Sequence, residues 1–224
     1  QRSWSPGRIT VQSMGVDLDS KFTPGDVGKA RDGLVFVGRL AEKKGVAHLI
    51  EAISILTEKY PELKLTIVGD GPLRKSLTEL ATQLGVRDKI AFVGSVSNEK
   101  VPDYFRAANI AVMPSVVAAS GDQEGLGLVA VEAQGCGCAV VASNLPAVRD
   151  TIIDGQTGLM AEPANAADLA DKIAVLVDDD DVRKDLARSG RQYALKNFTW
   201  TAVGESYARI INDMVRDSRK QKSP

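Results

Sequence analysis

Residues 34–72 read LVFVGRLAEKKGVAHLIEAISILTEKYPELKLTIVGDGP. The run 34–37 (LVFV) is an apolar strand, residues 46–60 (VAHLIEAISILTEKY) are a helical stretch, and residues 63–68 (LKLTIV) form a second strand. Apolar strands joined through a helix of about ten residues or more lie parallel, in a sheet covered on both faces and with right-handed crossovers.

Outward from that unit the alternation continues through residues 73–84 (LRKSLTELATQL), 90–93 (IAFV), 101–108 (VPDYFRAA) and 110–113 (IAVM). It goes on with a helix over 128–134, a strand over 139–142, a short strand over 157–160, and helices near 166–177 and 182–195. The fold class is therefore α/β, a doubly wound parallel sheet of Rossmann-like type. Residues 1–30 form a lead-in or interdomain hinge that ends in a Pro- and Gly-rich boundary near 25–33. The strand–helix repeat unit spans 31–198, and a C-terminal helix takes 199–224. On that helix Trp200, Val203, Tyr207, Ile210, Ile211 and Met214 share one apolar face, which needs a partner surface. The tail carries Arg216, Arg219, Lys220 and Lys222, the pattern of a solvated cationic helix end.

The 224 residues are 44% hydrophobic, 25% charged and 5% aromatic, a composition that excludes disorder and collagen and suits a soluble globular protein. A chain of this length buries a core without disulfides or metal. Twenty-eight Lys and Arg against 29 Asp and Glu leave a net charge of −1, so no global field draws the chain to nucleic acid or anionic lipid. Cys136 and Cys138 stand too close for an ordinary structural disulfide and too few for zinc, and they read as small buried residues in a reducing compartment. No run reaches the ~18 apolar residues of a membrane span. The start, Gln1-Arg2-Ser3-Trp4, has neither initiator Met nor signal segment, as in a fragment of a longer protein. The one histidine, His48, sits within a helical stretch and reads as structural.

In an open α/β sheet ligands bind beyond the carboxyl ends of the strands, so the turns after each apolar run carry the chemistry. After 34–37 come Gly38, which lets backbone approach a ligand, and the cations Arg39 and Lys44, which can converge on an anion. After 63–68 comes Gly69-Asp70-Gly71-Pro72, explained by turn geometry alone. After 90–93 come Gly94 and Val96, in a loop whose backbone can bond a base edge. After 110–113 a loop leads to Glu124-Gly125-Leu126-Gly127-Leu128 at a helix start, where free N–H groups and the helix dipole favour a diphosphate. Glu124, and Glu132 about two turns into that helix, suit vicinal hydroxyls of a sugar or ribose, and Arg39 and Lys44 would offset the phosphate charge.

Three lookalikes fail. Gly125-x-Gly127-x-x-Ala130 matches a dinucleotide fingerprint but follows its strand only after a long loop, and no acid marks the next strand end. The P-loop lookalike Gly25-Asp26-Val27-Gly28-Lys29-Ala30 has the wrong glycine spacing and ends in Ala30, which cannot ligate magnesium. Asp17-x-Asp19 and the acidic run 178–181 are solvated turns rather than a metal site, so no metal ligand is assigned.

Taken together these turns resemble the C-terminal donor-binding domain of retaining GT-B glycosyltransferases of the family-4 or group 1 type. The resemblance covers SMGVDL with Phe22, GRLAEKKG, LTIVGDGP, FVGSV, the E-x(7)-E signature as EGLGLVAVE, GCGCAVVAS, DGQTGLM and the helix after NFTW. Leu126 replaces the commoner Phe, and Cys138-Ala139 stand where Thr-Pro is frequent. The resemblance implies that Arg39 and Lys44 bind the diphosphate and stabilise the leaving nucleotide. It implies that Gly125, Leu126, Gly127 and Leu128 hold diphosphate and sugar, that Glu124 contacts sugar hydroxyls, and that Glu132 binds the ribose. The resemblance further implies that the base lies near Gly94 to Ser97, Val96 among them. No metal or other cofactor is required, and the substrate is a UDP-, GDP- or ADP-sugar. The acceptor half, an N-terminal domain of the same parent chain, is missing, so the isolated domain is expected to transfer no sugar. The parent is expected to be a cytoplasmic hexosyltransferase of polysaccharide or glycolipid assembly, with peripheral association at the inner membrane face and no nucleic-acid partner. The alternatives are a nucleotide-sugar 2-epimerase of the same fold and a non-catalytic nucleotide-binding module.

Overall fold

Six parallel strands form one sheet in the order β3-β2-β1-β4-β5-β6. The computed structural model describes residues 10, 12–25 and 31–220, the last five by backbone alone. Residues 26–30, which hold most of the P-loop lookalike and of the expected boundary, and the cationic side chains of the tail lie outside the described residues. The elements follow in chain order as β1 (Leu34–Val37), α1 (Val46–Lys59), β2 (Leu65–Val68), α2 (Arg74–Gln83), β3 (Ile90–Gly94), α3 (Val101–Ala107) and β4 (Ile110–Met113). They continue with α4 (Leu128–Gly135), β5 (Ala139–Ser143), α5 (Pro146–Arg149), β6 (Leu159–Ala161), α6 (Ala166–Asp178), α7 (Asp180–Phe198) and α8 (Trp200–Lys220).

Alternate strand residues feed two cores. Leu34, Phe36, Ile67, Val112 and Val141 point to one face, where they meet Leu49 and Ile53 of α1, Leu77 of α2 and Ile173 of α6. Val35, Val68, Ala111, Met113 and Val140 point to the other, against α3, α4 and Phe198 at the end of α7. Strands buried on both faces have no polar alternation, which is why they read as unbroken apolar runs. Helix α1 buries Val46, Leu49, Ile50, Ile53 and Leu56, a single stripe at helical spacing.

The described residues of the lead-in lie outside the sheet but belong to the second core. Val16, Leu18 and Phe22 are buried there. The Val16 N–H donates to Phe198 O at 2.8 Å, and Arg106 donates to Lys21 O and Thr23 O at 2.9 and 2.8 Å.

The acidic run 178–181 is a helix junction. Asp179 caps α7 by accepting the N–H groups of Asp181 and Val182 at 3.0 and 2.9 Å, Asp178 pairs with Lys59 and Asp180 with Arg183. Asp17 closes its own turn by accepting from Ser20. Among the described residues no cluster of three His, Cys, Asp or Glu is placed to hold a metal ion. Cys136 and Cys138 are buried, and burial pushes both thiols up to about 12, as fits inert core residues. His48 lies on α1 with Nδ1 3.1 Å from Glu51. Of the α8 face, Val203 is buried, whereas Trp200, Tyr207 and Ile211 are exposed. Among the described residues no helix is long and apolar enough to cross a membrane.

Candidate functional site

The strand order reverses between β1 and β4, the switch point at which open α/β sheets bind ligands. Pairing between these two strands stops at Val35↔Ala111, although β1 pairs with β2 along its whole length. The carboxyl ends of β1 and β4 are thus unladdered to each other, and each leads into one of the turns singled out above. On the β1 side, Gly38 N–H donates to Val68 O at 3.0 Å and Gly69 N–H to Gly94 O at 2.8 Å, which sets three strand ends side by side.

The turn after β1 passes through a short 3₁₀ helix, Glu42–Lys44, to Gly45. Gly45 has φ 63°, and a Cβ there would lie 1.8 Å from Pro114 O. Only glycine lets this turn press against the backbone that leaves β4. That contact brings Lys44 to Glu124: Nζ stands 2.5 Å from Oε2, with the two side chains only 16% and 14% exposed. The other carboxylate oxygen accepts the Gly125 N–H at 3.2 Å. Burial by itself would raise the Glu124 carboxyl. The hydrogen bond and charge of Lys44, the Gly125 N–H and the charge of Lys43 outweigh it and hold the group below the ordinary carboxylate range.

Helix α4 starts beside this pair. Gly127 is its N-cap; the Ala130 N–H donates to Gly127 O at 2.9 Å, but no side chain caps the helix and no acid stands in its first turn, so its positive dipole end is not offset by a capping group. Little more than one turn on, rather than the two turns expected from the sequence, Glu132 is half-buried and its carboxyl forms no hydrogen bond or ion pair among the described residues. Burial pushes its carboxyl up to about 7, opposed only by the charge of Lys21. A carboxyl in that position is poised to accept hydroxyl donors. Arg39 is exposed and forms no ion pair among the described residues, while Leu126 is exposed and Val96 half-buried against the second core.

The structure therefore brings Gly38, Lys44, Glu124, Gly125 and Gly127 together at one strand end, with Gly94 aligned by the strand-end bonds and Glu132 deeper on the same helix. One consequence of that assembly escapes a reading turn by turn: Lys44 neutralises Glu124, so this acid does not stand as a bare negative charge at the site mouth. Sequence reasoning also missed Glu42, Lys43 and Asp122, which tie the two turns together; 77 residues separate Glu42 from its partner Ala119, and no local pattern signals that contact.

Residues 24–193 match the family described as "Glycosyl transferases group 1". The chain belongs to this family. It is 34% identical to D-inositol 3-phosphate glycosyltransferase 2 of Catenulispora acidiphila over 96% of this chain and 52% of that protein. It is 31% identical to the GDP-mannose-dependent alpha-(1-6)-phosphatidylinositol monomannoside mannosyltransferase of Mycolicibacterium smegmatis, over 88% of this chain and 54% of that one. The group 1 chain thus spans about half the length of these curated relatives. Among solved structures, the C-terminal domain of the group 1 protein LpcC from Francisella tularensis superposes with a TM-score of 0.72 at 28% identity, over 83% of this chain and all of that one. HepE of Anabaena, solved in complex with UDP and glucose, shares the fold with a TM-score of 0.78 at 22% identity, over 91% of this chain and 56% of that one. The sheet and its flanking helices are accordingly the C-terminal, Rossmann-like half of a GT-B fold.

Proposed function

We propose that this chain binds the nucleoside-diphosphate sugar for a retaining glycosyltransferase that moves a hexosyl unit to an acceptor hydroxyl. The observation that carries the reading is the half-buried Lys44–Glu124 pair at the switch point, beside the uncapped start of α4. In this reading Arg39 and Lys44 bind the diphosphate and stabilise the charge that grows on the departing nucleotide. The backbone from Gly125 to Leu128 holds the phosphates and sugar, Glu124 accepts sugar hydroxyls, and Glu132 takes the ribose. The loop from Gly94 through Val96 to Ser97 borders the base, and Gly38 lets backbone approach the ligand. Two cations and a helix N-terminus meet the diphosphate charge, so binding proceeds without a divalent metal. The relatives named as glycosyltransferases and the neighbour solved with UDP and glucose support a nucleotide-sugar donor.

The acceptor half is an N-terminal domain of the same parent chain, in keeping with coverage of about half of each curated relative. The exposed face of α8 packs toward that half, and the parent works in the cytoplasm, peripherally at the inner membrane face. In the parent protein, Arg39→Ala lowers kcat/KM by about 100-fold, the usual loss when one donor to a developing anion is removed. Chelation by EDTA leaves the rate unchanged, and product NMR shows the donor's anomeric configuration. Transfer by the 224-residue chain alone, or an inverted product, contradicts the proposal.

A further inference from the structure

Three consecutive residues of the turn after β1 each hold a different point of the loop that leads to α4. Glu42 Oε1 accepts the Ala119 N–H at 2.8 Å, Lys43 Nζ stands 3.1 Å from Asp122 Oδ1, and Lys44 Nζ stands 2.5 Å from Glu124 Oε2. The grips advance along the loop in the same order as along the turn. At the base of the loop the Val116 N–H donates to Lys43 O at 2.9 Å. Inside the loop the described bonds are short-range: Ala118 N–H to Asp122 O, Gly121 N–H to Ala118 O, and Asp122 N–H to the Ser120 hydroxyl. Residues 119–123 are exposed and belong to no helix or strand, so their distance from the protein body is set by the turn.

We propose that Glu42 is a positioning residue that fixes the loop delivering Glu124, Gly125 and the start of α4 to the diphosphate, a role that rests on the donor-site reading above. Glu42 has leverage because both of its ends are anchored. Its carbonyl accepts the Gly45 N–H at 2.9 Å, and Gly45 presses on the Pro114 backbone, while its carboxylate reaches the loop tip. The neighbouring Lys43–Asp122 pair cannot substitute for it. Both contacts lie at the surface, Glu42 and Ala119 included, so they differ in what is held and not in burial: Lys43–Asp122 joins two side chains 33% and 61% exposed, and an ion pair so exposed contributes little, whereas Glu42 binds the loop's backbone. Holding Ala119 therefore falls to the one carboxylate that bonds backbone rather than a mobile side chain.

The test compares wild type, Glu42→Gln and Glu42→Ala by amide hydrogen exchange and by calorimetric titration with UDP, GDP and ADP. Glutamine keeps an acceptor oxygen at the same reach; alanine removes it. Glu42→Ala speeds exchange across residues 117–125 and weakens the preferred diphosphate roughly fivefold, the worth of about one hydrogen bond, with exchange in α1 and β5 unchanged. Glu42→Gln restores both. Acceleration confined to the Ala119 amide, unchanged affinity in Glu42→Ala, or failure of Glu42→Gln to restore it overturns the proposal. Failure of wild type to bind any of the three diphosphates overturns the donor-site reading, and with it the role given to Glu42, while exchange reports separately whether Glu42 holds the loop.

Discussion

At the scale of single residues, Glu132 shows how a carboxyl can be costly to the fold and useful to the site. Its folded value of about 7 lies above the ordinary 4.5 because burial disfavours its charge. The folded chain therefore keeps a proton that the unfolded chain releases between those values, and this residue's contribution to stability falls as pH rises from about 4.5 to about 7. Glu132→Gln removes the penalty: the variant equals wild type near pH 4 and exceeds it by on the order of 2 kcal/mol at pH 8. Urea melts at the two values check this; equal gains at both contradict it. In the sequence the apolar neighbours Val129, Val131 and Ala133 suggest that Glu132 is a buried carboxylate needing a partner, and the structure leaves it half-buried. The Lys44–Glu124 pair was not legible there. Each residue was a candidate, but 80 positions separate them, and only the assembled sheet makes them neighbours.

At the scale of elements, the site depends on one turn pressed against another. Ala at position 45 would take a left-handed backbone at φ 63° and set its Cβ 1.8 Å from Pro114 O, where only backbone can yield. Gly155 is the control. It has φ 70° with nothing within 4 Å of its virtual Cβ, so Gly155→Ala carries only the backbone penalty, about 1 kcal/mol. Gly45→Ala is expected to lose at least about 2 kcal/mol more than Gly155→Ala in denaturant melts. Equal losses would mean that the two turns are not in close contact. Every strand and long helix was legible from apolar runs and helical stripes, with ends moved by a few residues, because buried parallel strands and one-sided helices leave strong patterns. The helix caps were less so. Asp179 stood inside an acidic run that suggested a solvated turn, and its bonds to Asp181 and Val182 show that it ends one helix and starts the next.

At the scale of the whole molecule, the parallel pairing of all six strands places every candidate turn at the carboxyl end of the sheet, and the 3-2-1-4-5-6 order puts the reversal between β1 and β4. That convergence was implied by the alternation of strands and helices. The burial of the lead-in was not, since Val16, Leu18 and Phe22 stand outside the repeat and join the second core only once α3, α4 and α7 are assembled. The exposed Trp200, Tyr207 and Ile211 on α8 are the side of the molecule that the other half of the parent would cover in our proposal. The central claim, that the β1–β4 switch point is a nucleotide-sugar site, is tested most directly by calorimetric titration of UDP, GDP, ADP and NAD into this chain without metal, repeated on Arg39→Ala and Glu132→Ala. The account predicts preference for one nucleoside diphosphate, lost in both variants, with protons released on binding near pH 7 as hydroxyl donors favour ionised Glu132. Tight NAD binding that survives Glu132→Ala, or diphosphate binding indifferent to both substitutions, would contradict it.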